Sequence, residues 1–133
     1  MTVEPVREKN TDNGVEVARR YADAYAAFDT TALLDVLAAD LAFRQVNPGG
    51  YLQLTGAQAY IDATNELFDS CDRWEAVAAS AEKVGDRVVT TSRMRLHAGG
   101  QTYLMQHSEV VTVRGDRVSA IDSACSGPRP EDV

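Results

Sequence analysis

Two acidic residues and a histidine in the last third of the chain are spaced for acid–base chemistry. His107 and Glu109 lie two positions apart in an apolar, strand-like stretch, and Asp122 follows an Arg-Gly-Asp-Arg turn at 114–117. If Gly115-Asp116 is the two-residue loop of a hairpin, counting back along both strands places Glu109 directly opposite Asp122. Because alternate residues of a strand share a face, His107 falls on the same side of the sheet.

This arrangement predicts a site rather than a purely structural hairpin, since like charges placed opposite each other destabilise a sheet. In an apolar cavity the two carboxyl groups would share one proton and titrate as a unit. One would be an acid and the other a base at neutral pH, which suits proton removal beside a carbonyl group. We therefore expect Glu109 to act as a neutral hydrogen-bond donor, Asp122 as the base and His107 as an orienting or relaying group.

A second glycine turn, Gly99-Gly100, gives an independent assignment of the faces. A two-residue loop there pairs Ser92 with His107 and Thr90 with Glu109. The face that carries His107 is then largely uncharged, and its opposite carries Arg93 and Arg95, so the first face is predicted to point inward. A bulge in either hairpin would reverse the assignment.

Composition limits the classes of protein that fit this chain. The 133 residues suffice for one domain with a single core, and a net charge of −7 argues against nucleic acid or an anionic membrane surface as partner. No apolar run approaches the ~20 residues of a membrane helix, and the first residues lack the apolar centre of a signal peptide, so a cytoplasmic location is expected. Cys71 and Cys125 read as free thiols, and strand alternation places Cys125 on the face opposite His107, which disfavours a cysteine nucleophile.

The order of elements predicts an α+β fold. Helices are expected at 15–28, from a cap at 29–31 to near 40, and from a capping box at 55–58 to about 69. Strands are expected at 41–46, 51–54, 74–83, 87–97 and along the hairpin at 101–125. Residues 1–13 read as a flexible tail, and the chain from 126 is expected to leave the sheet, with 128–133 as a C-terminal tail. A curved antiparallel or mixed sheet wrapped over three helices would leave an internal conical pocket.

Three short segments carry a family resemblance: Arg20-Tyr21, residues 37–40 and residues 113–118. With them, residues 14–127 resemble the nuclear transport factor 2-like superfamily, which includes SnoaL-like polyketide cyclases and ketosteroid isomerases. The resemblance implies a cone-shaped fold with an internal pocket. It also implies a homodimer through the outer sheet face, to which we assign Trp74, Arg93 and Arg95.

The resemblance also assigns roles to individual residues. The ketosteroid isomerase tyrosine matches Tyr21 and its neutral acid matches Glu109, but its aspartate base matches Gln45, which cannot usefully accept a proton. The cyclase acid–base aspartate matches Ser123, with Asp122 one position away, so its transfer to Asp122 requires a bulge or a one-residue shift. The residues expected to line the pocket are Tyr25, Phe43, Gln45, Tyr60, Ser92, Met94, Met105, Val111 and Ala124.

Three functions are compatible with these features. The first is an enzyme without a cofactor that cyclises or isomerises a hydrophobic, carbonyl-bearing metabolite. The second is an epoxide hydrolase on the same fold, which would need a carboxylate–arginine–carboxylate set in the pocket. Arg44 is the candidate arginine, although strand alternation places it on the face opposite to Gln45. The third is a protein that binds or sequesters a hydrophobic small molecule. A zinc site at His107, Glu109 and Asp122 is not expected, because a second histidine is missing from that face.

Overall fold

Three helices and one seven-stranded sheet make up the computed structural model, which describes residue 10 and residues 12–131. The helices are α1 (Gly14–Ala26), α2 (Thr30–Val36) and α3 (Ala57–Asp69). The strands are β1 (Leu37–Asn47), β2 (Gly50–Thr55), β3 (Arg73–Val84), β4 (Arg87–Ala98), β5 (Gln101–Arg114), β6 (Arg117–Cys125) and β7 (Arg129–Pro130). The predicted α+β class is confirmed.

The sheet is mixed and open, with strand order β2-β1-β6-β5-β4-β3. Neighbouring strands are antiparallel except β1 and β6, which run parallel. This pairing joins the N-terminal half of the chain to the final hairpin. It also sets Gln45 beside Ser123 and Arg44 beside Asp122.

The helices cover the inner face of this sheet. The predicted apolar face of α1 is buried, with Val17, Tyr21 and Tyr25 at most 2% exposed. α1 ends at Ala26, two residues earlier than predicted, and Phe28 then adopts a left-handed φ of 44°. Asp29 caps α2 as predicted, because its Oδ1 accepts from the backbone N–H of Ala32 at 3.1 Å.

The end of α2 and the start of α3 also differ from the predictions. α2 ends at Val36, and Leu37 already belongs to β1. The capping box at 55–58 is wrong: Gly56, with φ of 99°, precedes α3 and no side chain caps the helix. The Gly56 N–H instead donates to the carbonyl of Leu41 at 2.7 Å, which continues the β1–β2 pairing up to the helix.

The two predicted hairpins have different outcomes. β4 and β5 pair in the predicted register, with Ser92 opposite His107 and Thr90 opposite Glu109. β5 and β6 start in the predicted register at their turn but shift by one residue between Val113 and Thr112. Ser119 is the extra residue, and beyond it Glu109 faces Ser123. The predicted pairing of Glu109 with Asp122 is therefore wrong.

Side chains provide hydrogen bonds for two backbone groups next to this bulge. The backbone N–H of Val113 donates to Oδ1 of Asn10 at 2.8 Å. The hydroxyl of Ser119 donates to the carbonyl of Thr112 at 3.3 Å. Val118 and Ser119 are both buried, as expected where two consecutive residues occupy the place of one. A distant side chain and a local hydroxyl thus stabilise a register that counting from the turn does not predict.

Trp74 and the C-terminal residues also lie elsewhere than expected. Trp74 packs inward against Phe28 and Phe68, and its Nε1 donates to the carbonyl of Ala26 at 2.9 Å, whereas Arg93 is exposed on the outer face as predicted. Residues 129–130 return to the sheet and pair with β5 instead of leaving it. The predicted N-terminal tail lies largely outside the described residues. Among the described helices, none is long and apolar enough to cross a membrane.

Candidate active site

A cavity of about 410 Å³ lies between α1, α3 and the inner face of the sheet. Its lining combines aliphatic and aromatic side chains with a few polar groups. Residues 126–129, which lead into β7, and the β1–β2 turn at 47–49 contribute to its wall. The remaining lining residues are Tyr25, Phe43, Gln45, Leu52, Leu54, Tyr60, Ala63, Thr64, Leu67, Met105, His107 and Cys125.

The inner face of the sheet presents polar side chains in two neighbouring rows. One row runs across four strands and holds Gln45, Ser123, Glu109 and Thr90. Gln45 Nε2 donates to Ser123 Oγ at 3.3 Å. The next row holds Cys125 and Ser92 on either side of His107. The register of the sheet alone therefore sets His107 between a thiol and a hydroxyl, one row from Glu109.

His107 and Glu109 form a buried pair, as their shared face predicted. His107 Nδ1 lies 3.5 Å from Glu109 Oε2, and their side chains are 4% and 0% exposed. Neither atom has a hydrogen-bond partner among the described residues. The imidazole lines the cavity, whereas Glu109 lies behind it.

Tyrosines from two helices complete the arrangement around this pair. The Tyr21 hydroxyl donates to Glu109 Oε1 at 2.6 Å and lies 2.6 Å from the Tyr60 hydroxyl. The Tyr25 hydroxyl lies 3.4 Å from His107 Nε2. Burial raises the pKa of all three phenols, so they remain neutral hydrogen-bonding groups over the pH range of most enzymes.

Opposite charges decide how the buried pair ionises. Burial by itself would lower the pKa of His107, but contacts with Cys125 and Glu109 outweigh it and raise that pKa to about 9. Burial would likewise raise the pKa of Glu109, yet the imidazolium and the Tyr21 hydroxyl lower it overall. At neutral pH the pair is therefore a carboxylate and an imidazolium, the reverse of the neutral Glu109 predicted from sequence.

Asp122 and Ala124 lie on the other face of the sheet, contrary to prediction. Asp122 accepts from Arg44 Nη2 at 2.6 Å, and the two side chains are 53% and 56% exposed. Ala124 is exposed as well. The bulge at Ser119 is the cause, because one extra residue turns every later side chain of β6 to the opposite face. Asp122 cannot be the base of this cavity.

The other predicted residues divide into two groups. Five of them line the cavity: Tyr25, Phe43, Gln45, Tyr60 and Met105. Tyr21, Ser92, Met94 and Val111 are buried on the inner side but belong to the layer behind the cavity wall.

Two residues next to the His107–Glu109 pair were missed, as were lining residues from β2 and α3, such as Leu52 and Thr64. Ser123 faces Glu109, a position that the family resemblance indicated, and Cys125 lies opposite His107, on the face from which simple alternation excluded it. No metal-binding group of three His, Cys, Asp or Glu side chains occurs in the part of the chain that the structure describes.

Solved structures of other proteins share this fold. A protein with a ketosteroid isomerase-like fold from Catenulispora acidiphila, in complex with trimethylamine, has a TM-score of 0.66 and 18% identity, covering 84% of this chain and 86% of its own. A candidate polyketide cyclase from Xanthomonas campestris has a TM-score of 0.65 and 21% identity, with coverages of 82% and 87%. An LEH-like epoxide hydrolase from M. tuberculosis has a TM-score of 0.63 and 15% identity, with coverages of 84% and 81%. These similarities establish the nuclear transport factor 2-like α+β cone.

The family follows from the sequence match. Residues 18–121 match the model of the SnoaL-like domain, which spans most of the chain. The protein therefore belongs to the SnoaL-like family, as the resemblance predicted. No curated protein matches the chain.

Proposed function

We propose that this protein is an enzyme that isomerises or cyclises a hydrophobic carbonyl compound through its own side chains, with His107 as the acid–base residue. One observation carries the proposal: the imidazole of His107 lies 3.5 Å from the buried carboxylate of Glu109, against the wall of an apolar cavity. A structural ion pair would not need a cavity beside it. A cavity of about 410 Å³ is also within the range of small-molecule sites.

The proposed reaction exchanges protons between His107 and the substrate. The imidazolium first donates its proton to the carbonyl oxygen. The nitrogen so exposed then takes a proton from the neighbouring carbon, which restores the imidazolium. The product is an enol, and reversal at a different carbon gives the isomer, while attack of the enol on a second carbonyl gives the ring. Glu109 supports these steps by lying beside Nδ1, where its carboxylate stabilises the imidazolium that forms each time the ring takes up a proton.

Tyr25, Tyr60 and Gln45 are the groups that would orient the substrate. All three line the cavity, and the two phenols remain protonated because burial raises their pKa values. Tyr21 is a positioning residue in this proposal, since its hydroxyl binds Glu109 and Tyr60 rather than the cavity.

The proposal is testable without knowing the natural substrate. A hydrophobic ketone such as 2-tetralone is incubated with the protein in deuterium oxide, and exchange at the carbon beside the carbonyl is followed by NMR. We expect exchange above the buffer rate, and His107→Gln to lower the enzyme's contribution by about 10²–10⁴. Asp122→Asn is the matched control, because it removes an acid of the neighbouring strand β6 that points to the outer face.

The outcomes separate the alternatives. Exchange at the buffer rate despite bound ketone would indicate a binding protein, and loss of exchange in Asp122→Asn would contradict the assignment. The epoxide hydrolase similarity is not favoured as a function here. That reaction would need a carboxylate–arginine–carboxylate set in the cavity. Arg44 and Asp122, the candidates for its arginine and one of its acids, instead pair with each other on the outer face.

We also propose that the protein forms a homodimer through the outer sheet face. Val46 and Tyr51 are 61% and 63% exposed there, beside a shallow hollow lined by Val89 and Val110. Large exposed apolar side chains that cluster are typical of association surfaces. Sedimentation of the wild type and of Tyr51→Asp tests this, and a monomeric wild type would refute it.

A further inference from the structure

Cys125 is a thiol of the cavity wall that the acid–base proposal does not use. It lies directly opposite His107 in the β5–β6 register, on the inner face. It is a free cysteine of intermediate exposure and lines the cavity. The backbone N–H of Gly127 donates to its sulfur at 3.3 Å, which favours a sulfur that carries negative charge.

The titratable groups that act on this thiol come from two elements. His107 lies opposite it on β5 and lowers its pKa, whereas Glu109 on β5 raises it, and Tyr25 on α1 interacts with it electrostatically. His107 is only 3% exposed, and its Nδ1 has no hydrogen-bond partner among the described residues. A thiol, an imidazole and a carboxylate in this order form the arrangement that activates a cysteine nucleophile through an adjacent ring and a third, orienting group.

The second free cysteine provides a contrast within the same molecule. Cys71 follows α3, and its thiol hydrogen bond goes to the carbonyl of Leu67 at 3.3 Å, so its proton is retained. Burial raises the pKa of Cys71. Burial would also raise the pKa of Cys125, but the interaction with His107 outweighs it and lowers that pKa.

We propose that Cys125, His107 and Glu109 form a thiol-addition site that captures α,β-unsaturated carbonyl compounds in the cavity. The inference goes beyond the proposed acid–base reaction, because a covalent bond forms between the ligand and the protein. The apolar cavity selects hydrophobic members of this class, and the phenols of Tyr25 and Tyr60 are placed to bind the carbonyl oxygen.

The addition is balanced without any further reactant. The thiolate sulfur attacks the carbon that is β to the carbonyl, and a C–S bond forms as the C=C π pair moves to give an enolate. The imidazolium of His107 then donates its proton to the α-carbon, leaving a neutral imidazole and a thioether. Nothing is oxidised or reduced, no group leaves, and reversal by β-elimination restores the thiolate.

The test compares two single-cysteine proteins, Cys71→Ser and Cys125→Ser, with cyclohex-2-enone as the probe. Adduct formation on the full chain is followed by intact mass, and the modified residue is located by peptide mapping. At neutral pH we expect the protein that retains Cys125 to react faster than the one that retains Cys71, on the order of tenfold, because His107 favours the thiolate of Cys125 whereas the proton of Cys71 is held by the carbonyl of Leu67. Equal rates, or faster reaction of Cys71, would overturn the proposal.

Two further measurements keep the result independent of folding and of the acid–base proposal. In the Cys71→Ser background, His107→Gln should remove the excess rate while circular dichroism remains that of the folded protein, and an unchanged rate would refute the role of the ring. In the unaltered chain, 2-tetralone should protect Cys125 but leave Cys71 reactive, and equal protection of both thiols would refute addition within the cavity. Deuterium exchange and adduct formation are separate readouts, so either proposal can fail alone.

Discussion

The β4–β5 and β5–β6 hairpins share a strand, and both close on a two-residue turn that contains glycine, yet only one keeps its faces in order. From Ala98 opposite Gln101 to Val88 opposite Val111, the first hairpin alternates without interruption. The second loses one step at Ser119, after only two pairs. The first thus delivers Glu109 to the interior as predicted, whereas the second turns Asp122 outward and brings Ser123 and Cys125 inward. The face of a residue therefore depends on every residue between it and the turn, not on the turn alone.

The largest expected effect is the difference in stability lost when Glu109, on the inner face, or Asp122, on the outer face, is replaced. Glu109→Ala leaves the buried imidazolium without its partner and should lower the free energy of unfolding by about 3–5 kcal/mol. Asp122→Ala breaks an exposed pair with Arg44 and should lower it by only about 0–1 kcal/mol. Urea unfolding of both variants measures the difference. Equal losses would mean that both acids lie on the same face of the sheet.

A smaller effect is expected from pH, and its sign follows from the two pKa shifts. The raised pKa of His107 stabilises the folded state fully below about 6.5, and this contribution is lost as the pH rises through about 9. The lowered pKa of Glu109 contributes above about 4.5 and is lost as the pH falls. Stability should therefore be highest between these limits and fall towards pH 9 by at most roughly 3 kcal/mol, at about 1.4 kcal/mol per pH unit.

The thiol beside the ring partly offsets this fall, because the lowered pKa of Cys125 stabilises the folded state increasingly as the pH rises. Unfolding curves at a series of pH values measure the net effect. His107→Gln is the control, and it should remove the decline above about pH 6.5. A wild-type curve that is flat from neutral pH to pH 9 would show that the pair does not ionise as described.

The smallest expected effect concerns the bulge itself. Asn10→Ala removes the acceptor of the Val113 N–H and should lower the free energy of unfolding by about 1–3 kcal/mol, the usual loss when a buried donor is left unpaired. Asn65→Ala, which loses a solvent-exposed contact with Asp69 within α3, serves as the control and should have less effect. If the bulge needs Asn10, the variant should also slow modification of Cys125, because the register that turns this thiol inward is weakened.

Local patterns were sufficient for most of the fold and for the centre of the site. The helical periodicity correctly predicted which face of α1 is buried, including Tyr21. The Gly99-Gly100 turn correctly placed Glu109 and His107 on the inner face. Both inferences use interactions between residues close in the chain or joined by a regular turn. The same reasoning predicted the Asp29 cap correctly.

The errors come from interactions that span the sequence. The bulge is held partly by Asn10, 103 positions from Val113, so nothing near the hairpin indicates it. Trp74 was placed outside because regular alternation along β3 was assumed. The β3–β4 register in fact shifts by one residue between Ala76 and Ala78, which turns Trp74 inward, where its indole N–H reaches the carbonyl of Ala26 at the end of α1. The ionisation of Glu109 was misjudged because Asp122 was expected opposite it. Asp122 lies on the outer face, and the group beside Glu109 is His107, whose raised pKa favours the imidazolium.

The bulge also bears on how such a scaffold can change its chemistry. The side-chain amide of Asn10, upstream of the first helix, helps to set which side chains of β6 face a ligand in the cavity. In one register these are a hydroxyl and a thiol, and in the other a carboxylate and a methyl group. Insertion or loss of one residue at position 119 would exchange the reagents inside the hollow while leaving its walls of helix and strand intact. New reactions can therefore arise on this fold through a one-residue shift in strand register, without substitution of the reacting residues.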